Sequence, residues 1–290
     1  LHENGCDIVG VITAPDKPKG RGKVMQGSPV KEYAESVGLK VLQPTNLKAD
    51  EFIKELSDLK VDLQIVVAFR MLPEIVWHMP NRGTFNLHGS LLPQYRGAAP
   101  INWAIMNGEK ETGITTFFLK HEIDTGQIIH QEKESISLDD TVGDVYERLM
   151  NKGALLVLKT VNSIANNEVE LIAQDESVLL KSAPKLHKET CELDWSKSAE
   201  ENRNFVRGLS PYPAAWTLIN GKKFKIFQSK LSEIEVDSTL IYDSIMTDNK
   251  TFLCLKSSDG WLQINELQME GKRRMPIQDL LRGYSFKLED

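Results

Sequence analysis

Apolar runs and polar breaks alternate along the first part of the chain and predict strands and helices in turn. Ile8-Val9-Gly10-Val11-Ile12 is a short, mostly β-branched run and reads as a buried strand. The stretch from Pro15 to Gly27 is basic and glycine-containing and reads as a loop. Ser28-Pro29 predicts an N-cap with proline in the first helical turn, and Gly38 closes that helix. Lys40-Val41-Leu42 reads as a short strand, and Phe52, Ile53, Leu56 and Leu59 recur at helical spacing from Asp50 onward. Leu63 to Phe69 is almost unbroken in its apolar character, the pattern of a central parallel strand covered on both faces. Ala99 to Asn107 reads as a helix stopped by Gly108. Thr112 to Leu119 and Gln127 to Glu132 read as strands flanking a turn at Asp124, and Thr141 to Asn166 as a long amphipathic helix.

Beyond Gln174 the pattern weakens and turns polar, then changes character. Ala215 to Ile219 and Phe224 to Gln228 flank Asn220-Gly221, a strong hairpin signal. Thr251 to Lys256 and Trp261 to Leu267 flank a Ser-Ser-Asp-Gly turn and predict a second hairpin. The expected fold class is α/β: a Rossmann-like, mostly parallel sheet in a catalytic domain over 1–180, a linker over 181–192, and a small OB-like β-barrel over 193–290.

With 290 residues, two domains are the favoured division. Hydrophobic residues make up 41% and charged residues 26%, which is ordinary for a globular protein. No apolar run is long enough for a membrane-spanning helix, and no membrane partner is expected. The three cysteines, Cys6, Cys191 and Cys254, lie far apart and form neither a zinc set nor a disulfide framework, so a reducing, cytoplasmic setting is expected. The net charge of −6 means that any RNA contact must come from a local basic patch.

Candidate chemistry concentrates in Asn86-Leu87-His88-Gly89-Ser90-Leu91-Leu92-Pro93 and in Ile123-Asp124-Thr125-Gly126. An amide, an imidazole and a carboxylate together suit acyl transfer: one group fixes the acyl oxygen, one handles a proton, one orients the proton handler. On spacing alone, Asp124 before Thr-Gly reads equally as a turn residue, and a lone strand-end histidine as structural. No nucleophilic serine or cysteine motif is present, and no metal is expected.

Phe85 to Pro93, Tyr95-Arg96-Gly97-Ala98-Ala99-Pro100, Glu111-Thr112-Gly113 and Asp124-Thr125-Gly126 resemble the signature of the formyltransferase family that uses 10-formyltetrahydrofolate. Asp194-Trp195-Ser196, Pro211-Tyr212-Pro213-Ala214 and Gln278-Asp279-Leu280-Leu281 carry the likeness into the second domain. The resemblance is closest to the branch that acts on initiator methionyl-tRNA, for translation initiation. It implies 10-formyltetrahydrofolate as co-substrate and the methionyl amine as acceptor, with Asn86, His88 and Asp124 as catalytic residues. In that family a strand, a Gly-Thr-Pro loop and a helix come first; they would precede Leu1, so a missing opening segment is expected.

The resemblance further implies that Ser90, Leu91, Leu92 and Pro93 contact folate, and that Phe69, Arg70, Met71 and Leu72 offer main-chain groups to the pterin ring. Many relatives carry a small residue where Arg70 stands. The loop holding Lys17, Lys19, Arg21 and Lys23 resembles a tRNA-contacting insertion, with Arg21 its key residue; Lys185 and Lys188, and a face with Lys222, Lys223 and Lys225, are further candidates for RNA contact. The carboxylate of Asp124 should favour the imidazolium form of His88. A monomer is expected. The rival readings are a formyltransferase acting on a nucleotide sugar or on glycinamide ribonucleotide, a 10-formyltetrahydrofolate hydrolase, and an inactive tRNA- or folate-binding module.

Overall fold

A computed structural model describes residues 1–19, 24–233 and 244–287 of the chain. In chain order its elements are β1 (Val11–Ile12), β2 (Lys17–Lys19), β3 (Val24–Gln26), α1 (Pro29–Ser36), β4 (Val41–Leu42), α2 (Asp50–Asp58), β5 (Gln64–Val67), α3 (Glu74–Trp77), β6 (Thr84–His88), β7 (Arg96–Gly97), α4 (Pro100–Met106), β8 (Glu111–Phe118), β9 (Ile128–Ser135) and α5 (Val142–Ala165). There follow β10 (Ser182–Ala183), α6 (Ala199–Leu209), β11 (Ala215–Ile219), β12 (Lys222–Leu231), β13 (Ile245–Thr247), β14 (Leu253–Lys256), β15 (Trp261–Met269), β16 (Met275–Pro276) and α7 (Ile277–Leu281). The chain divides into two compact units that interleave along it: Leu1–His88, Thr115–His130 and Leu155–Gln174 in the first, Gly89–Ile114, Gln131–Ala154 and Asp175–Asp290 in the second.

In the first unit, β1 pairs β4 in parallel, and β5 pairs β6 in parallel. β8 runs antiparallel to β6, and the sheet has the order β5-β6-β8-β9. Phe85 on β6 packs with Ile129, Val157 and Ile164, while Phe52 and Leu56 on α2 pack with Leu42, Leu47 and Val76. Ser28 caps α1 by accepting from Lys31 N at 3.2 Å, with Pro29 opening the helix, as the Ser-Pro pair predicts.

Two expectations need correction here. The run Leu63 to Phe69 predicts a central strand, yet β5 stands at an edge of its sheet and Val67 is 54% exposed. The run is covered on one side only: Leu63 and Ile65 pack onto the Phe85 cluster, while Val67 is exposed and, among the described residues, β6 alone is hydrogen-bonded to β5. The stretch Pro15 to Gly27 is not simply a loop either. β2 and β3 form an antiparallel ribbon in the register Lys17↔Gln26 to Lys19↔Val24. Its base is pinned by Asp16, whose carboxylate accepts from Lys31 Nζ at 2.7 Å and Gln43 Nε2 at 2.8 Å.

In the second unit six strands form an antiparallel, barrel-like sheet in the order β11-β12-β15-β14-β13, with β16 on β15. Asn220 and Gly221, both at positive φ, make the turn between β11 and β12. Leu253, Leu255, Leu262, Ile264 and Leu267 fill the core with Phe224 and Ile226. Helix α6, which the apolar pattern leaves unseen, starts with a capping box: Ser198 Oγ accepts from Glu201 N and Glu201 Oε2 from Ser198 N.

A charge cluster built around a buried carboxylate ties α5 to the strand end within this unit. The Glu134 carboxylate, 7% exposed, accepts from Arg148 Nε at 2.6 Å and Lys152 Nζ at 2.6 Å; Arg148 also reaches Asp140 at 2.6 Å. Burial alone would raise the Glu134 carboxyl, but the bonds from Lys152 and Arg148 leave it below its ordinary value; Arg148 likewise lowers Asp140. A depressed carboxylate contributes stability above its unfolded-state pKa of about 4 and loses it as pH falls through the folded value. Arg148→Met should therefore destabilise the protein by about 1–2 kcal/mol at pH 7, below the value for a fully buried pair because Arg148 is itself 38% exposed and Lys152 still covers Glu134. Urea unfolding between about pH 6 and 3 should show a shallower acid loss in the variant than in the parent; parallel curves would show that these groups do not carry the acid sensitivity.

Candidate active site

Strand alternation divides β6 between two tasks. Phe85 and Leu87 face the apolar cluster with Ile129 and Val157, and Asn86 and His88 share the opposite face. The register Asn86↔Phe117 and His88↔Thr115 puts β8 beside them, and the rings of His88 and Phe117 meet edge to face at 6.4 Å between centroids. His88 is buried, and Asn86 is half-buried with a fully buried Oδ1 that has no hydrogen-bond partner.

Asp124 comes from the connection between β8 and β9. It sits at φ 56°, a left-handed conformation that Asp tolerates better than most residues. The turn is closed by Phe118 N donating to Gln127 O at 3.0 Å, and Thr125 Oγ1 donates to Glu122 O at 3.0 Å. Gly126 is dictated by space: a Cβ there would lie 1.6 Å from Phe118 O. The Asp-Thr-Gly sequence is thus one structural unit in which aspartate takes the unusual φ and glycine permits the backbone to touch β8.

The result is a short reach from carboxylate to imidazole. Asp124 Oδ2 lies 3.9 Å from His88 Nδ1, and the two side chains are 12% and 7% exposed. That separation is longer than a hydrogen bond and short enough for strong attraction once the ring is protonated. An acceptor oxygen on Asn86 shares the strand face with the imidazole, so the arrangement offers an amide, a proton carrier and an orienting carboxylate in one place.

The other expected residues fall in several settings. Phe69 and Leu72 follow β5 and pack on the core around Phe52, while Met71 is 72% exposed. The Arg70 guanidinium donates to Pro44 O and to Thr45 O, at 2.5 and 3.0 Å, so this side chain organises the loop after β4. In the second unit, Ser90 is fully buried and its Oγ donates to Gln94 O at 2.6 Å. Leu92 is buried, its carbonyl accepting from Gln131 Nε2 at 2.9 Å, and Leu91 and Pro93 are half-buried. Lys17 is exposed and Lys19 closes β2; Arg21 and Lys23 lie outside the described residues.

Lys185 and Lys188 are exposed in the second unit, where Trp216 Nε1 donates to Lys188 O at 2.7 Å. Lys223 Nζ lies 3.2 Å from the centroid of the Trp216 ring, and desolvation together with Lys188 holds its ammonium below the usual lysine value. Trp216 is absent from the residues singled out in the sequence; the available signal was a tryptophan just before the Asn220-Gly221 turn with Lys222, Lys223 and Lys225 just after it, which the hairpin register sets beside one another. Among the described residues no group of three or more His, Cys, Asp or Glu is placed to hold a metal ion, and no helix is long and apolar enough to cross a membrane.

Comparison with known proteins gives the class. Residues 1–161 match the family model described as formyl transferase, and 185–285 match the formyl transferase C-terminal domain. The chain belongs to the formyltransferase family, enzymes that move a formyl group. The methionyl-tRNA formyltransferase of Bacteroides fragilis is 53% identical over 293 residues, covering 98% of this chain and 90% of that protein. The methionyl-tRNA formyltransferase of Flavobacterium johnsoniae is 49% identical over 293 residues, covering 100% of this chain and 92% of that one. Among solved structures, an N-formyltransferase from Helicobacter canadensis in complex with folinic acid and dTDP-3-aminofucose superimposes with a TM-score of 0.59 at 22% identity, over 84% of this chain and 82% of that one. HypX from Aquifex aeolicus in complex with tetrahydrofolic acid gives 0.59 at 19% identity, over 86% of this chain and 43% of that one. These two likenesses concern the fold.

Proposed function

We propose that this chain transfers the formyl group of 10-formyltetrahydrofolate to the methionyl amine of initiator methionyl-tRNA. The observation that carries the reading is the Asn86–His88–Asp124 set, with its buried, unpartnered amide oxygen beside an imidazole facing a carboxylate. A buried acceptor without a donor costs about 1–3 kcal/mol. The amine of the acceptor supplies an N–H of the kind that would satisfy Asn86 Oδ1, and Asn86 Nδ2 would donate to the formyl oxygen as it gains negative charge.

The chemistry then follows. The uncharged amine attacks the formyl carbon; the new C–N bond forms as the bond to folate N10 breaks. One proton leaves the amine and one reaches N10. His88 Nδ1 faces Asp124, so this relay falls to the other ring nitrogen, and the carboxylate stabilises the imidazolium that forms in passing. Neither a metal nor a covalent enzyme intermediate is needed.

Phe69, Arg70, Met71 and Leu72, with Ser90, Leu91, Leu92 and Pro93, are proposed to hold the folate, chiefly through backbone groups, because Leu92 and Ser90 are buried and Arg70 is bonded elsewhere. Lys17 and Lys19 on β2, Arg21 and Lys23, and Lys185 and Lys188 are proposed to meet phosphates of the tRNA. In this reading 1–180 is the catalytic domain, 181–192 the linker and 193–290 the tRNA-binding domain, and the enzyme works in the cytoplasm as a monomer. The support for tRNA over a nucleotide sugar is the identity of 53% to the Bacteroides fragilis enzyme against 22% to the aminofucose enzyme.

Incubated with 10-formyltetrahydrofolate and charged initiator tRNA, the protein should produce formylmethionyl-tRNA, read by acid-gel mobility. Formate release with unmodified methionine would assign a hydrolase, and formylation of a dTDP-aminosugar alone would assign the sugar branch; either result overturns the proposal.

A further inference from the structure

Gln174 bonds the backbone of the Asp124 turn twice. Gln174 Nε2 donates to Asp124 O at 2.8 Å and to Gly126 O at 2.8 Å, so a single amide group bridges the two carbonyls that flank Thr125. Its delivery is also fixed: Ile128 and Ile172 form an isolated antiparallel bridge, with N–H to O distances of 2.8 and 3.0 Å, two residues before Gln174. The bridge therefore brings the 172–174 segment alongside the turn at the point where the turn joins β9.

Three constraints act on the same few atoms. Asp124 occupies a left-handed φ of 56°, which stores strain unless neighbours hold it. Gly126 lies against Phe118 O. Gln174 donates to both carbonyls. Removing either carbonyl bond would allow the peptide units around Thr125 to rotate, and Asp124 carries its carboxylate 3.9 Å from His88 from within that turn. A small rotation there moves the carboxylate away from the ring.

We infer that Gln174 is a positioning residue for formyl transfer: by clamping the carbonyls of Asp124 and Gly126 it fixes the Asp124 carboxylate against His88. The inference rests on the catalytic reading of Asp124. Gln174 itself touches none of the reacting atoms, so its loss acts on the rate of the chemical step and leaves substrate binding in place.

Gln174→Met keeps the volume and removes the donor. It should lower kcat by about thirty- to a hundredfold, the scale for displacing a catalytic group by about 1 Å. KM for the formyl donor and for tRNA should stay within about threefold. Gln174→Lys, whose ammonium can again donate to both carbonyls, should recover at least tenfold of the lost kcat. A kcat of Gln174→Met within threefold of the parent, a change confined to KM, or equal rates for the Met and Lys variants would each overturn the inference. Should the Met variant not fold, Gln174→Glu, which replaces the donor with an acceptor, is judged by the same kcat and KM criteria. Asp124→Asn is run alongside: full activity in that variant would overturn the catalytic reading of Asp124, whereas its inactivity with a normal Gln174→Met overturns the clamp alone.

Discussion

His88→Ala should lower kcat by about 10³–10⁴-fold while leaving the affinity for the formyl donor within about threefold of the parent. General acid–base groups contribute 10²–10⁴-fold. The upper part of that range applies because His88 is buried, where bulk water is a poor substitute as proton carrier, and because its removal also takes away the ring that the Asp124 carboxylate faces at 3.9 Å. Two histidines in the same unit serve as controls. His121, 85% exposed and 3.7 Å from Glu74, should be replaceable by alanine with no change in kcat. His130, whose Nε2 lies 3.1 Å from Ser163 Oγ on the other side of the β8–β9 turn, should affect stability only. Single-turnover formylation with saturating donor, together with donor titration by fluorescence, decides the matter. A His88→Ala enzyme retaining more than a tenth of the parental rate would remove the imidazole from the mechanism.

Gly126→Ala should be the most damaging change that adds only a methyl group. Its Cβ would lie 1.6 Å from Phe118 O and 2.8 Å from Phe118 C, both backbone atoms that no rotamer change can move aside. The strand end of β8 and the turn must separate, which costs on the order of 3 kcal/mol and breaks the closure between Phe118 N and Gln127 O. The displaced turn carries Asp124 with it, so kcat should fall by about a hundredfold in the molecules that still fold. Urea denaturation and steady-state kinetics measured on one preparation test both parts. Parental values for the two would mean that the turn adapts freely and that the close approach has no functional weight.

Much of the architecture was legible because the chain's local signals agree with its packing. The Ser28-Pro29 start of α1, the Gly38 and Gly108 stops, the Asn220-Gly221 hairpin and the long α5 all stand where the pattern predicts them. The places that misled are those where a local pattern has two physical causes. The apolar run of β5 predicts a strand covered on both faces, yet the strand packs on one side and stands at the sheet edge, and the basic stretch before α1 reports solvent exposure while concealing the β2–β3 ribbon. Helix α6 carried its Ser198–Glu201 capping box in plain view but lacked a long apolar period. Asn86, His88 and Asp124 could be singled out by their chemistry and by family resemblance. Gln174 could not, because its role rests on the position of one amide against two carbonyls, and nothing in a lone glutamine within a polar segment announces that.

The division of labour along β6 has a practical outcome. Phe85 and Leu87 anchor the strand in the interior, and Asn86 and His88 are aimed by that same anchoring. A slip of one residue would exchange the two sets, sending polar groups inward and apolar ones to the face that carries Asn86 and His88. Turnover per molecule is consequently a sensitive gauge of correct strand pairing in any preparation, able to expose mispaired protein whose circular dichroism looks native.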